Sequence, residues 1–223
     1  MTTQTPLVAR VERNLAEVRR RIEAAGRDPD GVTIVGVTKN HGSETCRAAL
    51  AAGLRVLGEN RVQEALPKMA EVRGAEWHLI GHLQTNKARL AGAFALVQSL
   101  DSVRLADVLA ERAPVSVLLE INVSREPEKH GVAPEQAEEV ALQVAERLEL
   151  RGVMGMGPLD GDPRPAFREL RALRERIEQR LGRALPILSM GMSGDFEIAV
   201  EEGSTMVRLG TVLFGPRTVS EPG

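Results

Sequence analysis

Two textures of apolar positions alternate along the chain. Leu7, Val11, Leu15, Val18 and Ile22 recur at spacings of three and four among charged residues, the signature of an amphipathic helix. Gly26 can end that helix and Pro29 blocks its continuation, so it spans about 6–26. Val32-Thr-Ile-Val-Gly-Val-Thr38 then forms a short β-branched run, as a strand buried on both faces of a parallel sheet would. From there helices and strands take turns. Helices are predicted over 43–52, 62–72, 85–91, 103–113, 134–148, 164–181 and 196–202. Strands are predicted over 32–38, 55–57, 77–80, 95–98, 115–123, 150–154, 187–190 and 206–209. Glycine and proline gather at 155–165, which reads as a mobile loop and not a domain linker.

Strands alternating with helices over short connections imply parallel pairing. Eight such units predict an α/β fold: a single closed (β/α)8 barrel of the TIM type, preceded by the N-terminal helix. Six or seven strands would instead favour an open sheet. At 223 residues the chain is short for a barrel, which usually takes about 250. One domain over 1–223, with the barrel at about 32–215, accounts for the length.

Composition narrows the function. The chain has 29 Lys+Arg against 31 Asp+Glu, a net charge of −2, which argues against general nucleic-acid or anionic-membrane binding. The single cysteine, Cys46, excludes an internal disulfide and a multi-cysteine zinc site. There is no tyrosine to act as an acid or base, and little aromatic surface for stacking on single-stranded nucleic acid. No apolar run approaches the roughly 18 residues of a membrane helix, and the polar start lacks a signal core, so the expected location is the cytoplasm.

In such a barrel the chemistry sits at the C-terminal ends of the strands. Polar and small residues concentrate there. Ser189-Met-Gly-Met-Ser-Gly-Asp195 follows the seventh strand, and Gly210-Thr211 the eighth. Glycines and helix starts at these two ends suit a phosphate group; the alternative is a pair of tight turns with Ser or Asp capping the helices. Lys39 ends the first strand. It reads either as an amine made nucleophilic at a low-dielectric mouth or as a rim cation paired with Glu59. A phosphate cup opposite such a lysine would suit pyridoxal 5′-phosphate, an aldehyde and a phosphate on one ring. His78 and His82 bracket Ile80-Gly81, but with four histidines and no H-E-x-x-H motif no metal site is expected. Gly191–Asp195 is not a nucleophile elbow, because Asp195 takes the position of its last glycine.

Five motifs occur in order: Val37-Thr-Lys39, Gly58-Glu-Asn-Arg-Val-Gln-Glu64, Trp77-His-Leu-Ile-Gly-His-Leu-Gln-Thr-Asn-Lys87, Leu188–Asp195 and Gly203–Thr211. Together they resemble the pyridoxal phosphate homeostasis protein family, over nearly the whole chain. That family's fold is similar to the alanine racemase barrel. The resemblance implies that Lys39 forms a Schiff base with the cofactor aldehyde and that Ser193, Gly210 and Thr211 hold the phosphate. It places Arg208 at the pyridine nitrogen and Asn60, Met154 and Met192 around the ring. Asn40-His41, after the lysine, departs from the family pattern.

The function so implied is cofactor homeostasis: a carrier or buffer for pyridoxal 5′-phosphate with no established catalytic activity. The implied state is a monomer, with apo forms of pyridoxal-dependent enzymes as possible recipients. The alternatives are a pyridoxal-dependent amino-acid racemase and a Schiff-base barrel aldolase. A racemase needs a base on each face of the reacting carbon, and the chain has no tyrosine to serve as the second.

Overall fold

In a computed structural model, residues 5–215 of the chain are described. The parts of the predicted domain at 1–4 and 216–223 lie outside them. Eight strands close into one barrel in sequence order, each parallel to its neighbours. They are β1 (Thr33–Val37), β2 (Val56–Glu59), β3 (Glu76–Leu79), β4 (Leu96–Leu100), β5 (Ser116–Glu120), β6 (Leu150–Met154), β7 (Ile187–Ser189) and β8 (Met206–Leu209). Around them lie α1 (Pro6–Ala24), α2 (Ser43–Ala51), α3 (Val62–Glu71), α4 (Val103–Arg112), α5 (Ala137–Ala145), α6 (Arg164–Leu181), α7 (Phe196–Glu201) and α8 (Thr211–Phe214). No helix among the described residues is long and apolar enough to cross a membrane.

The period-2 alternation of the strands builds two cores. Outward positions such as Ile34, Leu57, Leu79, Val97, Leu119, Val153, Leu188 and Val207 pack under the helices. Inward positions Val35, Val56, Leu96, Leu118, Met154 and Met206 form a small apolar plug inside the barrel. Two residues further along several of these strands the inward position turns polar: Gln98, Glu120, Ser189 and Arg208, all buried. The barrel is therefore apolar below and polar toward its C-terminal mouth.

The N-terminal helix is set by local chemistry. Thr5 caps it, its Oγ1 accepting from Val8 N at 3.4 Å, and Pro6 occupies the first turn. Gly26, with φ of 82°, takes the left-handed conformation just past the end. Val11, Val18 and Ile22 are its buried stripe, and Asn14 Nδ2 donates to Leu213 O at 2.8 Å, tying α1 to α8.

Three predicted elements differ in detail. Residues 85–91 were expected to be α-helical, but Thr85–Ala93 is a 3-10 helix. Its sequence buries only Ala88 and Ala91, too narrow an apolar stripe to hold an α-helix against the barrel. The predicted helix 134–148 begins as a 3-10 turn at Pro134–Gln136 before α5. The predicted strand 115–123 ends at Glu120, because the chain folds back so that Asn122 N bonds Val132 O at 2.9 Å and Val132 N bonds Glu120 O at 2.8 Å. The loop at 155–165 is fastened at its start: Gly155 N donates to Ser189 O at 3.1 Å, and Lys129 Nζ donates to Gly157 O at 2.7 Å.

Candidate functional site

A cavity of about 310 Å³ opens at the C-terminal ends of the strands, in the size range of small-molecule sites. Seven of the eight sequence-predicted residues line it: Lys39, Asn60, Met192, Ser193, Arg208, Gly210 and Thr211. Met154 does not. Its side chain belongs to the apolar plug one layer below, and Met156, two residues on and facing the same way, reaches the cavity instead. Val37, His41, Ile80, Gly194 and Gly215 complete the lining. For Val37 and Ile80 the available signal was their place at the C-terminal ends of the predicted strands 32–38 and 77–80.

The turn that presents Lys39 is braced from beneath. Lys68, nearly buried on α3, donates to Thr38 O at 2.8 Å, Glu59 Oε1 at 2.7 Å and Glu64 Oε1 at 2.8 Å. Thr38 Oγ1 also donates to Glu59 Oε1 at 2.6 Å, and Asn40 N donates to Glu64 Oε1 at 2.5 Å. Burial works to lower the Lys68 pKa, but the two carboxylates outweigh it and the net direction is up. The Glu59 carboxylate is thus engaged by Lys68 and Thr38 behind the lysine turn. Asn40 makes the turn with φ of 62°, a conformation asparagine tolerates. Beside it, Gly81 lets the ends of β2 and β3 converge: a Cβ there would stand 2.4 Å from Asn60 O.

Beside Lys39, across the β8–β1 pair that closes the barrel, the loops after β7 and β8 meet. Ser193 Oγ accepts from Gly210 N at 3.3 Å and Val212 N at 3.4 Å, clasping one loop to the other. Asp195 Oδ1 accepts from Met192 N at 2.6 Å and holds the first loop in its bend. Gly191 enters that bend with φ of 96°, where a Cβ would lie 2.6 Å from Ala199. A Cβ at Gly194 would meet only open space, so the backbone there is approachable. Small residues and amides on two converging loops suit a compact anion. The N-cap alternative is met in part: Ser193 Oγ also serves the first turn of α8 through Val212 N, whereas Asp195 makes no side-chain cap bond to α7.

Arg208 forms the floor between the two. Its Nη1 donates to Ser189 Oγ at 2.7 Å and its Nη2 to Gly155 O at 3.0 Å. Burial pulls its pKa down to about 10, with Glu120 and Asp195 opposing, so it stays charged at neutral pH. Glu120, also buried, is pushed up to about 7 by burial, Arg208 opposing and Asp101 reinforcing. Its Oε2 has no hydrogen-bond partner. From Arg208 a hydrogen-bonded chain crosses the barrel interior. Ser189 Oγ donates to Gln98 Oε1 at 2.7 Å, Gln98 Nε2 meets His78 Nδ1 at 2.9 Å, and His78 Nε2 meets Glu76 Oε1 at 2.9 Å on the opposite face. Burial lowers the His78 pKa, which favours the neutral ring this pattern needs. No single stretch of the chain signals this row of bonds, because its members lie in four different strands.

A family model described as alanine racemase, N-terminal domain, matches residues 8–218. A pyridoxal phosphate homeostasis protein from Aquifex aeolicus is 42% identical over 221 residues, covering 93% of this chain and 97% of that protein. One from Pseudomonas aeruginosa is 40% identical over 232 residues, covering 100% and 99%. The solved structure of PipY from Synechococcus elongatus with PLP bound has a TM-score of 0.81 at 35% identity, covering 92% of this chain and 100% of that one. An alanine racemase from Corynebacterium glutamicum has a TM-score of 0.75 at 17% identity over 97% of this chain and 63% of its own, a likeness of fold alone.

Proposed function

Because the chain belongs to the pyridoxal phosphate homeostasis protein family, on a barrel of the alanine racemase N-terminal type, we propose that it binds and buffers pyridoxal 5′-phosphate in the cytoplasm. The supporting observation is the arrangement of one amine, one anion cradle and one buried guanidinium around a single cavity. Lys39 is the amine for the cofactor aldehyde. Ser193, Gly210 and Thr211 take the phosphate. Asn60 and Met192 flank the ring, with Met154 supporting the floor from the layer beneath.

When bound, the cofactor supplies an aldehyde that condenses reversibly with a lysine amine, releasing water. The protein's own residues favour holding over turnover. Arg208 remains protonated at neutral pH even with its pKa lowered to about 10, so it would donate a hydrogen bond to the ring nitrogen while being too weak an acid to transfer its proton there. An unprotonated ring withdraws electrons weakly, which suits a carrier better than a racemase or an aldolase. The chain acts as a monomer, and apo pyridoxal-dependent enzymes are the proposed recipients.

Borohydride reduction of the loaded protein, followed by peptide mapping, tests the reading. The pyridoxyl group is expected on Lys39, and Lys39→Ala should lose the visible absorption band yet retain weak, phosphate-dependent binding. Labelling at Lys87 or Lys129 in place of Lys39 would overturn the assignment.

A further inference from the structure

Beyond the cofactor cavity, the same face of the barrel gathers a second set of donors. His82 follows β3, Asp101 follows β4, and His130 lies in the long connection after β5. One donor atom from each lies within 4.8 Å of the others. His82 Nδ1 is 3.0 Å from Asp101 Oδ2. The His82 and His130 rings stack with centroids 4.1 Å apart and planes 11° from parallel. The sequence predicted no metal site because these residues are separated by 19 positions or more and fit no local motif.

We propose that His82, Asp101 and His130 form a binding site for a divalent first-row transition-metal ion of the zinc class. Two imidazoles and one carboxylate are the donor set such ions prefer; magnesium and calcium take oxygen ligands. Metal–ligand bonds of about 2.0–2.2 Å put the donors around one ion roughly 3–4 Å apart. One ion cannot lie in the planes of two nearly parallel rings, so coordination requires the exposed His130 ring to swing out of its stack on His82. Three protein ligands leave positions open to water or to a small carboxylate or amine, as in catalytic and not structural zinc sites.

The backbone around the site is already fixed. Ser102 Oγ, the cap of α4, donates to Asp101 Oδ1 at 3.3 Å and orients the carboxylate. The loop carrying His130 is closed at its neck by the Ile121–Val132 bridge and across its middle by Asn122 Nδ2, which donates to Glu126 O at 2.9 Å and Lys129 O at 3.3 Å. Gly131 follows His130 with φ of 115°, packed where a Cβ would stand 2.8 Å from Asn122 N. The backbone of the loops carrying Asp101 and His130 is thus ordered before any ion arrives, which lowers the entropic cost of binding.

The proposal does not depend on what the neighbouring cavity holds. Full-length protein is stripped with EDTA and titrated with Co2+, following its visible ligand-field absorption, and Zn2+ is added in competition. The expected result is saturation at one Co2+ per chain, displaced by Zn2+. His130→Ala and Asp101→Asn should each weaken Co2+ affinity at least tenfold. His130 is exposed, so its variant should keep the parent melting temperature in EDTA. Absence of one-to-one saturation, or affinities in both variants equal to the parent's, would overturn the site.

Discussion

Glu120 tests the electrostatics of the barrel mouth. Its carboxyl is buried beside Arg208, and burial carries its pKa from 4.5 to about 7. A carboxyl with a raised folded pKa binds its proton more tightly in the native state. Its contribution to stability is full below the unfolded pKa and is lost as pH rises through the folded value. The gap from 4.5 to about 7 corresponds to about 3 kcal/mol, most of it lost between pH 5 and pH 8. Glu120→Gln keeps the shape and abolishes the titration. The variant should match the parent closely near pH 5 and then gain on it steadily, becoming more stable by about 2–3 kcal/mol at pH 8. Urea unfolding at pH 5, 6, 7 and 8 in EDTA, read by the fluorescence of the single tryptophan Trp77, measures this. Taking the difference between the two proteins cancels every group they share. A difference that stays flat across the range, or one that moves in the parent's favour, refutes the argument.

Other expectations follow from the same geometry. Pyridoxal without its phosphate should bind roughly a hundredfold more weakly than the phosphorylated form in a competition assay, since two charge-assisted contacts at about 1.5 kcal/mol each are lost; equal affinities would make the loops after β7 and β8 ordinary turns. Lys68→Met should cost about 3–5 kcal/mol in chemical denaturation by leaving Glu59 buried and uncompensated, and a loss under 1 kcal/mol would show that the brace under Lys39 contributes little. Gly81→Val should displace Asn60 and weaken cofactor binding, as read by titration of the visible band; unchanged affinity would remove Asn60 from the site. With L-alanine in deuterated water, the loaded protein should give at most slow α-deuteration without inversion, and rapid formation of deuterated D-alanine would contradict the carrier reading.

The parts of the molecule governed by short-range pattern were readable in the chain. Val32–Thr38 announces a buried parallel strand through its β-branched run, and the later strands follow as short apolar runs between helices, so the barrel and its N-terminal helix emerge from the alternation. Lys39, Ser193 and Gly210 were locatable because strand ends in this fold share one mouth. Met154 shows the limit: the alternation gives its face but not its depth, and depth is set by the stagger of neighbouring strands. The 3-10 helix at Thr85–Ala93 was hidden because propensity favours a helix without specifying its pitch. His82, Asp101 and His130 meet only through the lengths and closures of three loops, which no local window contains.

The chain of hydrogen bonds from Arg208 to Glu76 has a direction. Arg208 donates to Ser189, Ser189 to Gln98, Gln98 to His78, and His78 offers its other ring nitrogen to Glu76. A guanidinium has no acceptor and an ionised carboxylate has no donor, so opposite charges at the two ends hold every link in one sense. A proton relay must turn over after each passage, each link exchanging donor for acceptor. With Arg208 at its head this row cannot reverse. It behaves as an electrical strut, transmitting polarisation along the barrel axis while no proton travels.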